Sequence, residues 1–237
     1  VLDEPGFRLV ADRRREWRGT LGSAPSPLIP GPIHMYIRCM LSNELVKHLA
    51  EAAGFDLCGI TTPEVIPEAR DRFNAWLDKG FQAEMAWMER SRDRRVDPKM
   101  LLSSTRSLIM LGLNYYNPNT KERPEGHGRV SRYARGRDYH KVIKRRTLHL
   151  IRLLQEQVSP EQHEFFWYVD YGPMVERAYA AKAGLGFIGK NSMLINRKYG
   201  SYLFVVEILT SVEVQCDEPY GGAASGCGGV GRCEHPC

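Results

Sequence analysis

The sequence lacks the features that would place this protein in a membrane or outside the cell. Its 237 residues contain no apolar run long enough to cross a bilayer, and they begin with charged and proline-rich sequence rather than a secretory signal. No internal repeat is visible, which argues against a repeat architecture. The 43% of hydrophobic and 26% of charged residues are ordinary for a soluble globular protein, and we expect a cytoplasmic location.

Cysteine is scarce over most of the chain. Of the six cysteines, four lie within the last 22 residues: Cys216, Cys227, Cys233 and Cys237. A disulfide framework spreads its cysteines along a secreted domain, whereas an intracellular protein gathers thiols around a metal. The distribution therefore favours metal binding over disulfide bonds.

The hydrophobic pattern divides the chain into three parts. Residues 1–39 are rich in arginine and proline and are expected to be an unstructured or non-native extension. Residues 40–214 carry the helix and strand signals of one α+β domain. Residues 215–237 are rich in glycine and cysteine without a core pattern, and are interpreted as the start of a metal-binding appendage.

Local signals predict several elements of the α+β domain. Ser42 and Asp138 are suited to cap two amphipathic helices. Residues 165–169 are predicted to form a strand, and residues 173–184 a helix that has proline in its first turn. A β-hairpin is expected from residues 192–196 and 202–210, with its turn at residues 198–200.

Asp170 follows the apolar strand directly and precedes a Gly-Pro turn. Side chains in this position commonly face a cleft, where a carboxyl group beside buried aromatic residues could act as a proton donor. The alternative is a carboxylate that caps the following helix. From its position alone, capping is the more common role.

The glycine-rich segment at residues 184–190 fits two nucleotide-binding patterns, G-x-G-x-x-G and G-x-x-x-x-G-K. In both motifs a strand leads into a helix, whose N-terminus meets the phosphate. Here a predicted helix comes before the glycines and a strand after them. Asn191 also stands where Ser or Thr would hold magnesium, so we do not interpret the segment as a phosphate loop.

The last cysteines follow the spacing of the ferredoxin run C-x2-C-x2-C-x3-C-P, with one position missing. The matching residues are Cys227, Cys233 and Cys237. Val230 stands in place of the second cysteine, so too few thiolates remain for a stable cluster unless Cys216 substitutes. Zinc bound by these cysteines or by His235 is an alternative, although the spacing is not usual for zinc.

A basic stretch runs through residues 121–152, which contain 11 Lys or Arg and three acidic residues. Such a concentration is typical of a surface that binds a polyanion. The alternative is a solvated loop and helix face without a partner.

Together these motifs resemble the epoxyqueuosine reductase family. The strongest match is VDYGPMVERA at residues 169–178, followed by AGLGFIGKN at residues 183–191. Tyr171 and Phe187 are mild departures, because the family has V-D-T-G-P and A-G-L-G-W at these points. Shorter matches lie at residues 95–102, 136–140 and 200–210, and the similarity extends from about residue 45 to residue 237.

The resemblance implies a corrinoid-binding α/β sandwich domain of the α+β class, followed by the start of a ferredoxin-like iron–sulfur appendage. The implied activity is reduction of epoxyqueuosine to queuosine in the anticodon loop of tRNA. The implied cofactors are cobalamin and a 4Fe–4S cluster. The implied partners are tRNA carrying epoxyqueuosine and an electron donor such as a ferredoxin or flavodoxin, and we expect a monomer.

The resemblance also implies roles for individual residues. Asp170 would be the catalytic proton donor. Six residues would contact the corrinoid: Arg95, Ser131, Asp170, Asn191, Leu194 and Val205. Three would ligate the cluster: Cys227, Cys233 and Cys237.

The sequence stops within the first cysteine motif, so we expect a truncated or degenerate copy whose electron supply is compromised. Two alternatives remain open. One is a non-catalytic remnant that binds a corrinoid or tRNA, and the other is a corrinoid enzyme similar to the reductive dehalogenases.

Overall fold

One antiparallel sheet of five strands organises the protein. The computed structural model describes residues 8–9, 40–118, 125–158 and 163–220. The five strands lie in the order β1-β4-β7-β3-β2. They are β1 (Arg8–Leu9), β2 (Leu57–Thr61), β3 (Ser107–Asn114), β4 (Phe165–Val169) and β7 (Leu203–Thr210). Two further strands, β5 (Phe187–Ile188) and β6 (Leu194–Ile195), form a separate antiparallel ribbon.

The described residues include six helices besides the sheet. They are α1 (Asn43–Ala52), α2 (Pro67–Asp78), α3 (Ala86–Arg90), α4 (Arg92–Val96), α5 (Tyr139–Glu156) and α6 (Glu176–Lys182). Helices α1 and α5 pack on one face through a large apolar core, and α6 packs on the other face through a smaller one. Short 3-10 turns at Pro98–Met100 and Arg132–Ala134 complete the described elements.

The alternation of side chains along β7 shows why the two faces differ. Val206 and Ile208 are fully buried on the side of α1 and α5. Val205 and Leu209 belong to the core beneath α6, and Glu207 lies between them in the same strand. Because successive side chains point to opposite faces, Glu207 is directed towards the α6 side.

Most local predictions are confirmed. The Ser42 hydroxyl accepts a hydrogen bond from the Leu45 backbone N–H at 3.3 Å, and Asp138 Oδ1 accepts one from the His140 backbone N–H at 3.0 Å. These side chains satisfy N–H groups that have no partner inside the helix. The glycine-rich segment follows α6 and leads into β5, so it runs from helix to strand as predicted.

The predicted hairpin of residues 192–196 and 202–210 is wrong. Strand β7 pairs with β3 along Leu203–Thr210 and with β4 along Val206–Thr210, so most of its length has a neighbour on both sides. The segment at 194–195 pairs with β5 instead. A single bridge between Asn196 and Gly200 is what remains of the expected hairpin among the described residues.

The predicted start of the helix at Pro173 is also wrong, because α6 begins at Glu176. The intervening residues form a turn. In it the Tyr171 backbone N–H donates to the Val169 carbonyl at 2.7 Å, and Asp170 adopts a positive φ of 64°. The chain therefore reverses direction before it becomes helical, and this turn carries Asp170.

The mixed helix-and-sheet class is confirmed, whereas the three-part division stays a prediction. Residues 1–7, 10–39 and 221–237 lie outside the described ranges, and with them most of both predicted terminal segments. At the C-terminal side the packed domain continues at least to Asp217, whose carboxylate accepts a hydrogen bond from the Ile60 backbone and pairs with Lys47.

None of the helices in the described ranges combines the length and apolarity that crossing a membrane requires.

Candidate active site

A cleft of about 430 Å³ opens where β4 ends and the turn to α6 begins. One wall is aromatic and includes Tyr115, Tyr139 and Phe204. Another part of the lining is polar and includes Asp170 and Glu176. We call this the Asp170 cleft. Its mixture of apolar walls and a few convergent polar groups is the usual character of a small-molecule site.

Asp170 lines the cleft in an unfavourable backbone conformation. Its φ of 64° lies in the left-handed region, which residues other than glycine rarely adopt. The hydrogen bond from the Tyr171 N–H to the Val169 carbonyl closes a three-residue turn around it. Strain of this kind concentrates at functional sites, because the surrounding structure must maintain it. The turn leaves the Asp170 side chain exposed to the cleft.

Tyr139 fixes the orientation of the Asp170 carboxyl group. Its hydroxyl donates a hydrogen bond to Asp170 Oδ2 at 2.5 Å. The Tyr139 ring stacks on Phe204, with centroids 4.2 Å apart and an interplanar angle of 9°. Burial and the contact with Asp170 raise the pKa of Tyr139, which keeps its hydroxyl protonated. Tyr139 therefore acts as a permanent hydrogen-bond donor to Asp170.

Two further carboxyl groups stand behind Asp170. Burial, and then the charge of Asp170, raise the pKa of Glu176 to about 7. Glu207 is fully buried, and burial followed by the charge of Glu176 raises its pKa well above the usual range. Within the described part of the chain neither glutamate forms an ion pair. The cleft lining therefore contains one carboxyl group, Glu176, that holds its proton at higher pH than free glutamate, and a second, Glu207, is buried outside the lining.

A second cleft of about 670 Å³ adjoins the first and shares Tyr115, Tyr133, Tyr139 and Phe204 with it. Its lining is strongly basic and contains five arginines: Arg129, Arg132, Arg135, Arg137 and Arg146. We call this the arginine cleft. The Arg132 guanidinium lies over the Tyr116 ring at 4.8 Å and donates to the Asn117 carbonyl at 2.6 Å. These contacts hold a cation at the rim.

Helix α5 extends the basic surface away from the arginine cleft. Its buried face consists of Ile143, Thr147, Leu150, Ile151 and Leu154. Lys141, Arg145 and Arg152 are exposed on the other side of the helix. Most cations of the basic stretch predicted from the sequence are thus exposed where it is described, at residues 125–152.

The structure brings together three of the six residues predicted to contact a corrinoid. Asp170, Leu194 and Val205 line the Asp170 cleft. Ser131 lines a neighbouring hollow that shares Tyr115 and Tyr133 with it. The roles of all of these residues stay predictions.

Arg95 and Asn191 do not line the Asp170 cleft. Each forms a hydrogen bond with a residue that lines the cleft or directly precedes a lining residue. The Arg95 carbonyl accepts a hydrogen bond from the Val175 N–H at 3.0 Å, directly before Glu176. Asn191 Oδ1 accepts one from the Met193 N–H at 3.1 Å, and Met193 lines the cleft.

Three important residues were missed by the sequence reasoning: Tyr139, Glu176 and Glu207. For Glu207 a signal existed, since one charged residue interrupts the apolar strand LFVVEILT. Glu176 looked like a helix-start residue, because acidic side chains are common in the first turn. Nothing in the sequence links Tyr139 to Asp170, because 31 positions separate them.

The predicted cluster ligands Cys227, Cys233 and Cys237 lie outside the described residues. Within the described ranges, no group of three or more His, Cys, Asp or Glu side chains could hold a metal ion. Cys216, the proposed substitute ligand, is exposed. The iron–sulfur site therefore stays a prediction from the sequence.

Comparisons of the sequence with known proteins find epoxyqueuosine reductases. The family model described as "Epoxyqueuosine reductase QueG, DUF1730" matches residues 95–171. An epoxyqueuosine reductase of Synechocystis is 44% identical over 170 residues, which are 72% of this chain and 56% of that protein.

Solved structures give the same result. A crystal structure of epoxyqueuosine reductase with an epoxyqueuosine-modified tRNA-Tyr stem loop has a TM-score of 0.69 and 29% identity, and covers 80% of this chain and 49% of that one. The Bacillus subtilis enzyme, described with an aspartate-bearing catalytic loop swung out of the active site, has a TM-score of 0.58 and 26% identity over the same shares.

The family model covers part of the domain that contains both clefts. The chain spans about half the length of the relatives it matches. The family model ends one residue beyond Asp170, so it includes the strand and the turn that carry this side chain. Over the matched region, this chain is similar to the epoxyqueuosine reductases.

Proposed function

We propose that this chain carries the substrate-reducing domain of an epoxyqueuosine reductase and acts on epoxyqueuosine in tRNA. The observation that carries the proposal is Asp170, which stands on a strained turn in a cleft and is oriented by the Tyr139 hydroxyl. An aspartate presented in this way is suited to protonate an oxygen atom of a bound substrate. Similarity to the epoxyqueuosine reductases suggests the reaction in which such a proton is needed.

Cobalamin fits the paired clefts. A large, flat cofactor needs an apolar wall for its ring and polar groups around its edge. The stacked rings of Tyr139 and Phe204 supply the wall. Strand β4 ends opposite Val206 of β7. On the side of β7 that faces β4, residues Leu203–Val205 therefore have no strand neighbour among the described strands. Their backbone groups can hydrogen-bond to polar substituents of the cofactor.

The residues that would hold the corrinoid are Leu194 and Val205 in the Asp170 cleft, with Ser131, Arg95 and Asn191 at its surroundings. When bound, cobalamin supplies a reduced metal centre for the reduction of the epoxide-bearing ring. The chain itself contributes orientation and a proton. Asp170 gives its proton to the substrate oxygen that leaves as water, and Tyr139 keeps the carboxyl group directed into the cleft.

The arginine cleft and helix α5 are proposed to bind the tRNA. Five arginines line the cleft beside the Asp170 site, and the exposed face of α5 adds Lys141, Arg145 and Arg152. Contacts to phosphate groups position a nucleic acid without reading its sequence. This arrangement supports the tRNA proposal, because the cations stand next to the site where the modified base would react.

Electron delivery is proposed to follow the family pattern, with an external donor such as a ferredoxin or flavodoxin. The ligands implied for the 4Fe–4S cluster lie outside the described residues, so the site in hand contributes no step to this delivery. The tRNA substrate supports a location in the cytoplasm.

The proposal is tested with the full chain, added cobalamin, epoxyqueuosine-containing tRNA and a low-potential chemical reductant that replaces the electron donor. Queuosine is measured by mass spectrometry of digested tRNA. Asp170→Asn should lower the rate at least about 100-fold, because general acid catalysis commonly contributes that much. Asp71→Asn, which alters an exposed aspartate on α2, is the control and should match the parent.

Two results would contradict the proposal. If Asp170→Asn were as active as the parent, Asp170 would not be the proton donor. If the parent bound cobalamin and tRNA without forming queuosine, the chain would be a binding remnant. Cobalamin binding is followed by the absorption band of the corrin, and tRNA binding by retention at low salt.

A further inference from the structure

Glu207 is the most unusual side chain of the core beneath α6. It has no accessible surface, and neither of its carboxyl oxygens has a hydrogen-bond partner among the described residues. Its neighbours across the sheet are Met110 on β3 and Tyr168 on β4. An apolar side chain would fill this position at lower cost, because an unpaired buried carboxyl loses its hydration without compensation. Packing alone does not account for a glutamate here.

The Glu207 carboxyl lies against the turn that carries Asp170. A Cβ atom added to Gly172 would stand 2.6 Å from Glu207 Oε1, so only the missing side chain of glycine leaves room for this oxygen. Gly172 follows Asp170 by two positions. Glu207 therefore reaches from the centre of the sheet to the back of the Asp170 turn.

Glu176 stands beside the same turn and lines the Asp170 cleft. The two cations that interact with it are both engaged elsewhere. Arg95 Nε donates to the Ser91 hydroxyl at 2.9 Å, and its guanidinium lies over the Trp87 ring at 5.0 Å. Arg177 Nη1 donates to the Ser192 carbonyl at 2.5 Å. The Glu176 carboxylate would consequently be poorly neutralised.

The charged and titratable groups around these acids come from several elements. They are Asp170 from the turn, Tyr168 from β4, Arg95 from α4 and Arg177 from α6, and Tyr168 in turn interacts with Arg94 and Tyr171. Asp170 raises the pKa of both glutamates, and the arginines oppose this rise for Glu176 only in part. Glu176 and Glu207 are thus two interacting acids that both feel the charge of Asp170.

We propose that Glu176 is a proton reserve for Asp170, and that the two carboxyl groups hold one proton between them, with Glu207 as a neutral buried acid behind them. The proposal deepens the proposed function and rests on it. The pair begins with one proton and one negative charge. It gives that proton to the substrate oxygen and then carries two negative charges. A proton from water at the cleft mouth restores the pair, and no bond other than O–H is made or broken on these residues.

The protonation part of the proposal is tested by infrared titration of the full chain between pH 5 and pH 9. The carbonyl band of protonated carboxyl groups is followed, and subtraction of the Glu176→Gln spectrum isolates the contribution of Glu176. We expect a component that disappears with a midpoint near pH 7. In Asp170→Asn this midpoint should move to lower pH, because a like charge has been removed.

Glu207→Gln is the matched control, because it also removes a buried glutamate from the same core. In the parent, the band component of Glu207, obtained by subtracting the spectrum of this variant, should persist beyond pH 7. In the Glu207→Gln variant itself, the component of Glu176 should keep its midpoint. A parent chain without a component near pH 7 would overturn the proposal. So would an Asp170→Asn variant with an unchanged midpoint, since the two groups would then not share a proton.

The reserve itself is tested by the pH profile of queuosine formation in the assay described above. In the parent the rate should fall as the pH rises through about 7. Glu176→Gln should lower the rate at pH 7 about tenfold and shift the fall to lower pH, while Glu176→Asp should restore the parental profile in part. A variant that lost rate equally at every pH would indicate a structural role and would contradict the reserve.

The two proposals fail in different ways. If the parent forms no queuosine while the infrared component near pH 7 is present and responds to Asp170→Asn, the proposed function fails and the shared proton survives. If the parent is active and Glu176→Gln leaves its pH profile unchanged, the reserve fails and the proposed function stands.

Discussion

The Asp170 cleft and the arginine cleft share an aromatic wall but differ in every other respect. The Asp170 cleft is lined by two acidic side chains, Asp170 and the half-buried Glu176, together with Arg177 and Ser201, and a third acid, Glu207, is buried beneath the turn before α6. In the arginine cleft all charged side chains are cations, which lie on a loop and on α5, and most of them are exposed. The first arrangement holds protons, and the second attracts anions.

The difference shows how burial changes what a charge can do. Exposed arginines remain hydrated and attract phosphate over a distance that salt limits. Buried carboxyl groups lose hydration, so they keep protons that they would release in water. The shared wall of Tyr115, Tyr133, Tyr139 and Phe204 allows a single bound substrate to meet both environments.

The strongest test of this comparison is the effect of pH on stability through Glu176. The folded state keeps the Glu176 proton up to about pH 7, whereas the unfolded chain releases it near 4.5. The folded state therefore binds more protons between these values, and the parent loses stability as the pH rises through this window. The loss through this group amounts to at most about 3 kcal/mol.

Glu176→Gln should remove that loss. Its free energy of unfolding, measured by urea denaturation, should exceed the parental value at pH 8 and approach it at pH 4.5. Glu156→Gln, which changes an exposed glutamate at the end of α5, should follow the parent at both values. If the free energy of unfolding depended on pH equally in Glu176→Gln and in the parent, Glu176 would titrate like an exposed surface glutamate and the comparison would be contradicted.

A smaller effect is expected when one cation is removed from the arginine cleft. Arg137→Gln should weaken tRNA binding about tenfold at low salt and reduce the slope of log affinity against log salt by about one, because one phosphate contact is lost. The rate of the bound complex should not change. Filter binding at several salt concentrations measures both quantities.

Arg106→Gln is the control for Arg137. Arg106 lies at the start of β3, at the other end of the sheet, and pairs with Glu213 at 3.4 Å. Its substitution should leave the salt slope unchanged. If both variants weakened binding alike, the attraction would come from the overall charge rather than from the cleft.

The smallest effect is expected at the shared wall. Tyr139→Phe removes the hydrogen bond to Asp170 Oδ2 and keeps the stacking on Phe204. Stability should fall by about 1 kcal/mol or less, since a hydrogen bond beside solvent contributes little. Queuosine formation should fall several-fold because the carboxyl group is less well oriented. Urea denaturation and the queuosine assay separate the two effects, and an unchanged rate would show that Tyr139 does not position Asp170.

Local rules predicted those parts of the fold that depend on neighbouring residues. Ser42 and Asp138 cap helices as expected, and the strand before Asp170 has the predicted length. The hairpin failed because pairing depends on which strands compete for an edge. Strand β7 found β3 and β4, and residues 194–195 paired with β5 instead.

The sequence by itself determined the family resemblance, the helix caps, the apolar strands and the position of Asp170 at the end of one of them. Those features are carried by contiguous residues, whose spacing and chemistry can be read directly. Only the tertiary structure decided that Tyr139 reaches Asp170, that Glu207 lies beneath Gly172 and that Glu176 opens into the same cleft. These contacts join distant positions, and the pKa of each acid depends on the burial and the neighbouring charges that the contacts create.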